Sequence, residues 1–195
     1  MSLKTSAYAV IKRCMDILCS GLFLLLLLPL FIVVCLLICT DNFGSPFFFQ
    51  QRVGRNGSVF AMVKFRSMVK TAPALGPYWT QDNDPRITRM GRILRATSLD
   101  ELPQLWNVFR GDMSLVGPRP DVPSQETLYT PEQWIVRHRV RPGITGLAQV
   151  NGRSQLSPQE RLQYDIAYAA NPTLATDISI LLKTVRIVIH KIGAN

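Results

Sequence analysis

The segment from Ile17 to Ile38 constrains the fold more than any other part of the sequence, because its 22 residues carry no charge and are mostly Leu, Ile, Val and Phe. A helix of this length, rising about 1.5 Å per residue, is long enough to cross the ~30 Å hydrocarbon core of a bilayer. Pro29 lies in the middle of the segment and removes a backbone hydrogen bond there, which kinks a helix. The segment therefore predicts a membrane helix that is broken at Pro29.

Basic residues on both sides of this segment bear on its topology: Lys12, Arg13, Arg52, Arg55 and Lys64. The positive-inside rule places both flanks in the cytoplasm. A helix that enters the membrane, bends and returns satisfies this charge pattern, and a kinked helix that crosses the membrane is the alternative. The polar turn over residues 41–46 then separates a membrane segment, residues 1–44, from a globular domain, residues 45–195.

The charge balance limits the partners of that domain. Lys and Arg number 22 against 13 Asp and Glu, which gives a net charge of +9 in a chain of 195 residues. Such a balance favours an anionic partner, either nucleic acid, acidic lipid head groups or a substrate that carries phosphate. The four cysteines form no CxxC pair and the chain has two histidines, so neither a zinc site nor a disulfide framework is expected.

Local patterns predict that the globular domain is of the mixed α/β (α+β) class. Strand-like runs over 47–53 and 58–66 are separated by Asn56-Gly57, a pair typical of β-hairpin turns. Residues 113–116 predict a short buried strand. Helical spacing of apolar residues predicts further helices that begin near Asp84, Tyr129, Ser157 and Ile178. The first and the last of these are basic and amphipathic, which suits a membrane surface, and packing against the core is the alternative for the last.

Another helix is predicted from Ser98. Ser98 followed three residues later by Glu101 is the pattern of a capping box, with Pro103 in the first turn and Gly111 as the stop. The predicted apolar face of this helix consists of Leu102, Leu105, Trp106 and Phe109.

Asp100 and Glu101 at the start of this helix are the candidate catalytic residues. A helix N-terminus stabilises an anion and attracts phosphate. An ionised aspartate such as Asp100 is able to attack phosphorus and form an acyl phosphate, and Glu101, with Asp100, offers the oxygen ligands that Mg²⁺ prefers. From these residues alone, two carboxylates that merely cap a helix stay as the alternative.

Four cations are candidate phosphate ligands. Lys64 and Arg66 share one face of the second strand, although a solvated strand edge explains that pair equally. Arg95 comes shortly before the carboxylates and either points into the site or belongs to a surface that faces lipid or DNA. Arg119 stands between two prolines, which restrict its backbone and suit a guanidinium that binds phosphate in a bidentate manner. A rigid turn with an exposed arginine explains these residues equally.

The glycine-rich segment over 141–153 ends in Arg153 and predicts flexible backbone that approaches a ligand closely. It matches neither the dinucleotide-binding nor the P-loop pattern.

Taken together, these segments resemble the monotopic phosphoglycosyl transferases, the bacterial sugar transferase family that begins lipid-linked glycan synthesis. The resemblance runs from about Lys12 to the C-terminus. Five ordered segments carry it: QRVG at 51–54, KFRSM at 64–68, SLDELPQL at 98–105, and residues 113–120 and 141–153.

The resemblance implies a minimal catalytic form on the cytoplasmic face of the bacterial inner membrane, held by a re-entrant helix hairpin and interfacial helices. It implies transfer of a sugar 1-phosphate, of N-acetylhexosamine type, from a UDP-sugar to undecaprenyl phosphate, with release of UMP and a requirement for Mg²⁺. The expected route is a ping-pong reaction through a phosphosugar bound to the aspartate. The expected pathways are those of O-antigen, capsule, exopolysaccharide or glycoprotein, and nucleic acid is not an expected partner.

The resemblance also assigns roles residue by residue. The family's nucleophilic aspartate is Asp100 here, and the glutamate that supports the metal is Glu101. The family positions that contact phosphates or the nucleotide match Lys64, Arg95, Arg119 and Arg153. Two acidic positions near the site match Asp165 and Asp177.

One departure concerns the membrane break, where the family has Ser-Pro and this chain has Leu28-Pro29. A serine hydroxyl satisfies a carbonyl that the kink frees, so its absence keeps the crossing topology as an alternative. Two other functions stay open. One is a membrane-tethered basic protein that binds nucleic acid or acidic lipid without catalysis, and the other is one-step transfer with Asp100 as general base.

Overall fold

The computed structural model describes residues 3–76, 84–152 and 155–190. The helices are α1 (Leu3–Leu26), α2 (Leu28–Asp41), α3 (Ala72–Leu75), α4 (Arg89–Ala96), α5 (Gln104–Arg110), α6 (Pro131–Arg137), α7 (Leu147–Asn151), α8 (Pro158–Ala170) and α9 (Leu174–His190). The strands are β1 (Phe47–Val53), β2 (Val59–Phe65), β3 (Ser114–Val116) and β4 (Gly143–Thr145). Short 3₁₀ turns cover Arg55–Gly57, Leu99–Glu101 and Pro123–Leu128. The predicted mixed α/β class is confirmed.

The apolar segment is broken, as predicted, and the break lies at Leu27. The axes of α1 and α2 differ by 61°. Pro29 falls in the first turn of α2, where a helix needs no N–H from it, so the bend precedes the proline by two residues. Among the described residues, no single helix is long and apolar enough to cross a bilayer, whereas the bent α1–α2 pair meets both conditions together.

The first half of α1 is attached to the globular domain by polar contacts. The buried carboxylate of Asp16 accepts hydrogen bonds from Ser114 Oγ and Leu115 N, each at 3.0 Å. Arg13 donates to the carbonyls of Val108 and Phe109 at 2.7 and 2.8 Å, near the C-terminal end of α5. These bonds hold the N-terminal arm of the α1–α2 pair against β3 and α5.

The second half of α2 returns to the same domain through apolar contacts. Val34 and Ile38 are buried in one cluster with Phe65 of β2 and Leu94 of α4. Asp41, the last residue of α2, accepts a hydrogen bond from the backbone N–H of Met90 at 3.0 Å. Both arms of the bent pair therefore contact a single domain.

The β-hairpin follows the predicted boundaries closely. β1 and β2 pair antiparallel from Phe47 opposite Phe65 to Val53 opposite Val59. Asn56 at the turn adopts a left-handed conformation with φ 56°, and Gly57 has φ 79°, which explains the Asn-Gly pair.

The glycine-rich segment differs from the prediction of a flexible ligand-binding loop. Its residues Gly143–Thr145 form β4, which pairs in parallel with β3. A Cβ on Gly143 would collide with the backbone of Gly117. The glycine therefore permits two strands to approach each other in the core, and this use of glycine has the same sequence signature as a close ligand contact.

The predicted helix near Asp84 begins later, at Arg89. Thr88 caps it, because its hydroxyl accepts a hydrogen bond from Gly91 N at 2.9 Å. Asp84 instead forms a buried ion pair with Arg86 at 2.7 Å. Asp84 therefore pairs with the guanidinium two residues away and does not cap the helix.

The three later helices confirm the predictions for them. Thr130 caps α6 and Ser157 caps α8, each with a reciprocal capping box. α9 buries Ile180. Its other face exposes four apolar side chains: Ile178, Leu182, Val185 and Val188.

Candidate active site

Asp100 and Glu101 lie in the 3₁₀ turn Leu99–Glu101, before α5 begins at Gln104. The predicted capping box at Ser98 is wrong, since Ser98 is left-handed with φ 57° and its side chain caps nothing. The Glu101 carboxylate binds two cations instead, because charge-assisted hydrogen bonds are stronger than one to a backbone N–H. The expected places of Pro103, at the N-cap of α5, and of Gly111, the left-handed stop, are confirmed.

Glu101 is held between two cations. Its Oε1 accepts hydrogen bonds from Lys64 Nζ and Arg119 Nη2, both at 2.7 Å. Burial opposes ionisation of the carboxyl, but Arg119 and Lys64 outweigh it and keep the pKa of Glu101 well below its usual value. Burial lowers the pKa of Lys64, and Glu101 acts against that shift. The pair is thus an anion and a cation that keep each other charged inside the protein.

Asp100 has the opposite environment. Its residue is 8% exposed, and none of the described residues donates a hydrogen bond to its carboxylate. Burial raises the pKa of Asp100, with Glu101 adding to the shift and Lys64, Arg95 and Arg119 opposing it. An ionised Asp100 therefore lacks the hydrogen bonds that usually stabilise a buried carboxylate, while three cations stand near it.

Arg95 approaches Asp100 from the last turn of α4. Its Nε donates to Ser67 Oγ at 2.9 Å. Burial lowers the pKa of Arg95, while the charge of Asp100 acts to raise it. The hydroxyl of Ser67 thus orients a guanidinium that stands in the electrostatic field of the free carboxylate.

The segment that carries Arg119 is fixed along its backbone. Four successive carbonyls, from Pro118 to Asp121, accept hydrogen bonds from different parts of the chain. The donors in that order are Gly143 N at 2.9 Å, Arg137 Nη2 at 2.8 Å, Arg52 Nη1 at 2.8 Å and Val53 N at 2.9 Å. Because Pro118 and Pro120 also restrict the backbone, the exposed Arg119 side chain reaches Glu101 from a rigid base.

Asn107 of α5 was not singled out by its sequence pattern, yet it connects the two halves of the site. It is almost fully buried, its Oδ1 accepts from Val63 N at 2.9 Å, and its Nδ2 donates to Ala61 O at 2.8 Å. These bonds attach α5, which follows the carboxylates, to the strand that carries Lys64. Asn107 is therefore a positioning residue.

The predicted apolar face of α5 is only partly buried. The buried residues of the helix are Gln104, Leu105, Asn107 and Val108. Trp106 and Phe109 are 49% and 40% exposed, although one edge of the Phe109 ring lies against α1, where a Cβ on Gly21 would lie 3.3 Å from it. No signal in the sequence indicated this second buried face, because Gln104 and Asn107 are polar and such residues are mostly exposed.

The bacterial sugar transferase family model matches residues 7–191. The chain belongs to that family. Among similar proteins, the undecaprenyl-phosphate galactose phosphotransferase of Salmonella typhimurium is 42% identical over 201 residues, which are 94% of this chain and 41% of that protein. A UDP-N-acetylgalactosamine-undecaprenyl-phosphate N-acetylgalactosaminephosphotransferase of Aeromonas hydrophila is 39% identical over 98% of this chain and 47% of its own length. The exopolysaccharide production protein ExoY of Rhizobium meliloti is 39% identical over 89% of this chain and 83% of its own length.

These relatives include undecaprenyl-phosphate sugar phosphotransferases and a protein of polysaccharide production. The chain spans less than half the length of the first two.

The structure brings together some of the predicted site residues of this family member and separates others. Lys64, Arg95 and Arg119 surround the Asp100-Glu101 pair, as described above. Arg66 does not join Lys64 at the two carboxylates. It follows the last residue of β2, and its guanidinium binds the Asn42 carbonyl instead. Arg153 lies outside the described residues.

The two predicted supporting acids have other partners. Asp177 accepts hydrogen bonds from Tyr8, Lys12 and Tyr168 at 2.9, 2.9 and 2.6 Å, and so links α9 to α1 and α8. Asp165 accepts from Arg137 Nε and Nη2 at 3.1 and 2.8 Å. Asp165 therefore contacts the Arg119 segment indirectly, because Arg137 binds both the Asp165 carboxylate and the Arg119 carbonyl.

The Arg137 cluster, which we define as Arg137, Asp121, Asp165 and Tyr129, was not predicted as a unit. Arg137 is 3% exposed and forms ion pairs with both aspartates, while the Tyr129 hydroxyl donates to Asp121 at 3.2 Å. Burial opposes the charge, but Asp121 and Asp165 raise the pKa of Arg137 above its usual value. These residues are separated along the sequence, and no local pattern predicts that they form a cluster.

The donor set bears on the expected Mg²⁺. Among the described residues, no three or more metal-ligating side chains converge. Mg²⁺ commonly binds one or two carboxylates and completes its shell with water and substrate phosphates. Glu101 fits that mode, because its Oε2 lies 3.5 Å from Arg119 Nη1 and is the less engaged of its two oxygens.

Proposed function

We propose that this protein transfers a sugar 1-phosphate from a UDP-sugar to undecaprenyl phosphate and releases UMP. The reaction is ping-pong, with a phosphosugar carried by Asp100. The observation that carries the proposal is the contrast between neighbouring carboxylates, since Glu101 is neutralised by two cations and Asp100 is buried without a hydrogen bond from the described residues. A poorly stabilised anion near cations is suited to attack a phosphate.

In the first step, an oxygen of Asp100 attacks the phosphorus that is bonded to the sugar. The bond between that phosphorus and the bridging oxygen breaks, and UMP leaves with the electron pair. In the second step, an oxygen of undecaprenyl phosphate attacks the same phosphorus and Asp100 is released. Charge on the transferred group is spread over its equatorial oxygens, where Lys64, Arg95 and Arg119 stabilise it.

Mg²⁺, held by Glu101 and the substrate, would supply further neutralisation of the diphosphate. Lys64 and Arg119 keep Glu101 ionised, so that its carboxylate is available as a ligand.

The α1–α2 pair is proposed to be a re-entrant hairpin, with the domain of residues 45–195 on the cytoplasmic face of the inner membrane. The support is that α1 and α2 both contact that domain, α1 through Asp16 and Arg13 and α2 through Val34 and Ile38. A helix that crossed the bilayer would separate those contacts. The stretch over residues 17–26 is about 15 Å long, which is half of the ~30 Å hydrocarbon core.

The sugar is not specified by these contacts. The N-acetylhexosamine expected from the resemblance stays a prediction, because relatives named for galactose and for N-acetylgalactosamine are similarly close in sequence, at 42% and 39% identity.

A panel of UDP-sugars tests the proposal and its alternatives, with UMP release measured with and without undecaprenyl phosphate. Release without the acceptor, limited to about one UMP per chain, is expected for the ping-pong reaction. Release only with the acceptor would favour one-step transfer with Asp100 as general base. Absence of release with every donor, together with salt-dependent DNA binding or binding to acidic lipid vesicles, would favour the basic binding protein.

A further inference from the structure

Arg66 differs from the other buried arginines in having no counter-ion among the residues that the structure describes. The buried arginines among the described residues are Arg66, Arg86 and Arg137. Arg86 pairs with Asp84 at 2.7 Å, and Arg137 pairs with two aspartates. Arg66 is 7% exposed and forms no ion pair within the described part of the chain. Burying a charge without an opposite charge is costly, so this guanidinium lacks a partner that the other two possess.

The hydrogen bonds of Arg66 are also incomplete. Its Nη2 donates to the Asn42 carbonyl, and its Nε is buried with no acceptor among the described residues. A neutral carbonyl satisfies one donor and leaves the positive charge uncompensated. An anion with oxygen acceptors would supply the missing charge through a charge-assisted hydrogen bond to the guanidinium.

Lys70 brings a second cation to the same place. A Cβ on Gly44 would collide with the Lys70 ammonium and would lie 2.9 Å from Nη1 of Arg66. Both cations therefore lie against one glycine, whose φ of 126° also disfavours a side chain. Lys70 is exposed and forms no ion pair with a described residue. Two adjacent like charges with no carboxylate between them repel each other unless an anion joins them.

The position of these cations identifies the source of the anion. Gly44 follows the end of α2 by three residues, and its neighbour Phe43 is 84% exposed. If α2 returns from the membrane as proposed above, this turn lies at the level of the lipid head groups. We propose that Arg66, Lys70 and the turn at Gly44 form a binding site for the phosphate of a membrane phospholipid, distinct from the Asp100 site.

The full-length protein in detergent micelles provides the test, with the unfolding temperature as the readout. Phosphatidylglycerol is added in one arm, a diglucosyl diacylglycerol without phosphate in the second, and inorganic phosphate at equal concentration in the third. Phosphatidylglycerol at saturation is expected to raise the unfolding temperature by at least about 4 °C, and the other two additions are expected to have little effect. An equal shift with the glycolipid or with inorganic phosphate would overturn the assignment to a phospholipid.

Variants locate the site. Arg66→Gln is expected to abolish the shift and, without lipid, to be at least as stable as the wild type because an uncompensated charge is gone. Lys70→Gln, at an exposed position that folding tolerates, should lose half of the shift or more. Arg139→Gln is the matched control, since Arg139 is exposed near the opposite end of the β-hairpin. A full shift in Lys70→Gln, or in a folded Arg66→Gln, would refute the site.

The site rests on the membrane placement proposed above but not on the chemistry at Asp100. UMP release measured on the same samples separates the two proposals. A protein that shows the lipid shift without releasing UMP contradicts the transfer reaction alone, and the converse contradicts the phospholipid site alone.

Discussion

Two clusters of charged side chains lie on either side of Arg119 and differ in how completely they are satisfied. In the Arg137 cluster, one guanidinium is shared by two aspartates and also holds the Arg119 carbonyl, at 2.8 Å. In the Asp100 group, three cations face two carboxylates, and one of those carboxylates has no hydrogen bond from a described residue. The difference indicates that the Arg137 cluster has a structural role. The Asp100 group, by contrast, has the charge to bind a further anionic group.

The largest expected effect is a loss of activity at Asp100, the carboxylate that has no hydrogen bond from a described residue. Asp100→Asn removes the anion proposed to attack phosphorus and should reduce UMP release by at least about 10³-fold. The fold should persist, because the substitution removes a buried charge that no described residue stabilises by hydrogen bonding. Glu132→Gln, at an exposed position in the first turn of α6, is the control and should keep its activity. A fully active Asp100→Asn protein would show that Asp100 is not the reactive group.

Disrupting the Arg137 cluster, in which the charges are paired, should lower the stability of the fold. Arg137→Leu leaves Asp121 and Asp165 buried without their cation, and we expect a loss of about 3–5 kcal/mol in the free energy of unfolding. Denaturant unfolding measures it, with Arg139→Leu at the exposed neighbouring position as the control. A loss below about 1 kcal/mol would mean that the cluster does not support the Arg119 segment.

A smaller loss of activity is expected at Lys64. Lys64→Met removes one of the three cations proposed to stabilise the transferred phosphate. We expect about 10²-fold lower kcat/KM, as at other sites that lose one stabilising group. Glu101 keeps its bond to Arg119 at 2.7 Å, so the turn should keep its conformation. Steady-state kinetics over a range of UDP-sugar concentrations measures the change, and an unchanged kcat/KM would remove Lys64 from the reaction.

The pH dependence of stability provides a further comparison of the two carboxylates. Burial raises the pKa of Asp100, so the folded state favours the protonated form and loses stability as pH rises through that pKa. The pKa of Glu101 is lowered, so its contribution is lost only as pH falls through that low value. Unfolding of wild type and Asp100→Asn from about pH 4 to about pH 8 should show the wild type losing stability relative to the variant as pH rises. Parallel curves would contradict the assigned environment of Asp100.

The smallest effect is expected at the bend. Pro29 occupies the first turn of α2, and the bend itself lies at Leu27, so Pro29→Ala should change stability by less than about 1 kcal/mol.

In a variant without the native cysteines, single cysteines at Lys4 and at Asn42 should be labelled from the same side of the membrane, with or without Pro29. Labelling from opposite sides would replace the hairpin by a crossing helix.

The sequence predicted features whose causes are local. The hairpin turn at Asn56-Gly57, the stop at Gly111 and the capped start at Ser157 all follow from the chemistry of adjacent residues. The break in the apolar segment was also predicted, although it lies at Leu27 and Pro29 occupies the first turn of α2.

The features that were mispredicted depend on distant partners. Glu101 lost its predicted capping role to Lys64, which is 37 residues away, and to Arg119, which is 18 residues away. Asp84 is an exception, because the ion pair that takes it from the predicted helix start is with Arg86, only two residues away. The Arg137 cluster also joins residues that are remote in sequence, so a local pattern has no means of indicating it.

The proposed reaction requires a bond between Asp100 and phosphorus, and the intact mass of the protein reports whether that bond forms. After incubation with a UDP-sugar and no acceptor, the wild type should gain the mass of one sugar phosphate, located on the peptide that contains Asp100. Undecaprenyl phosphate should remove the added mass, and Asp100→Asn should never acquire it. An unmodified wild-type chain under conditions in which UMP is released would contradict the account.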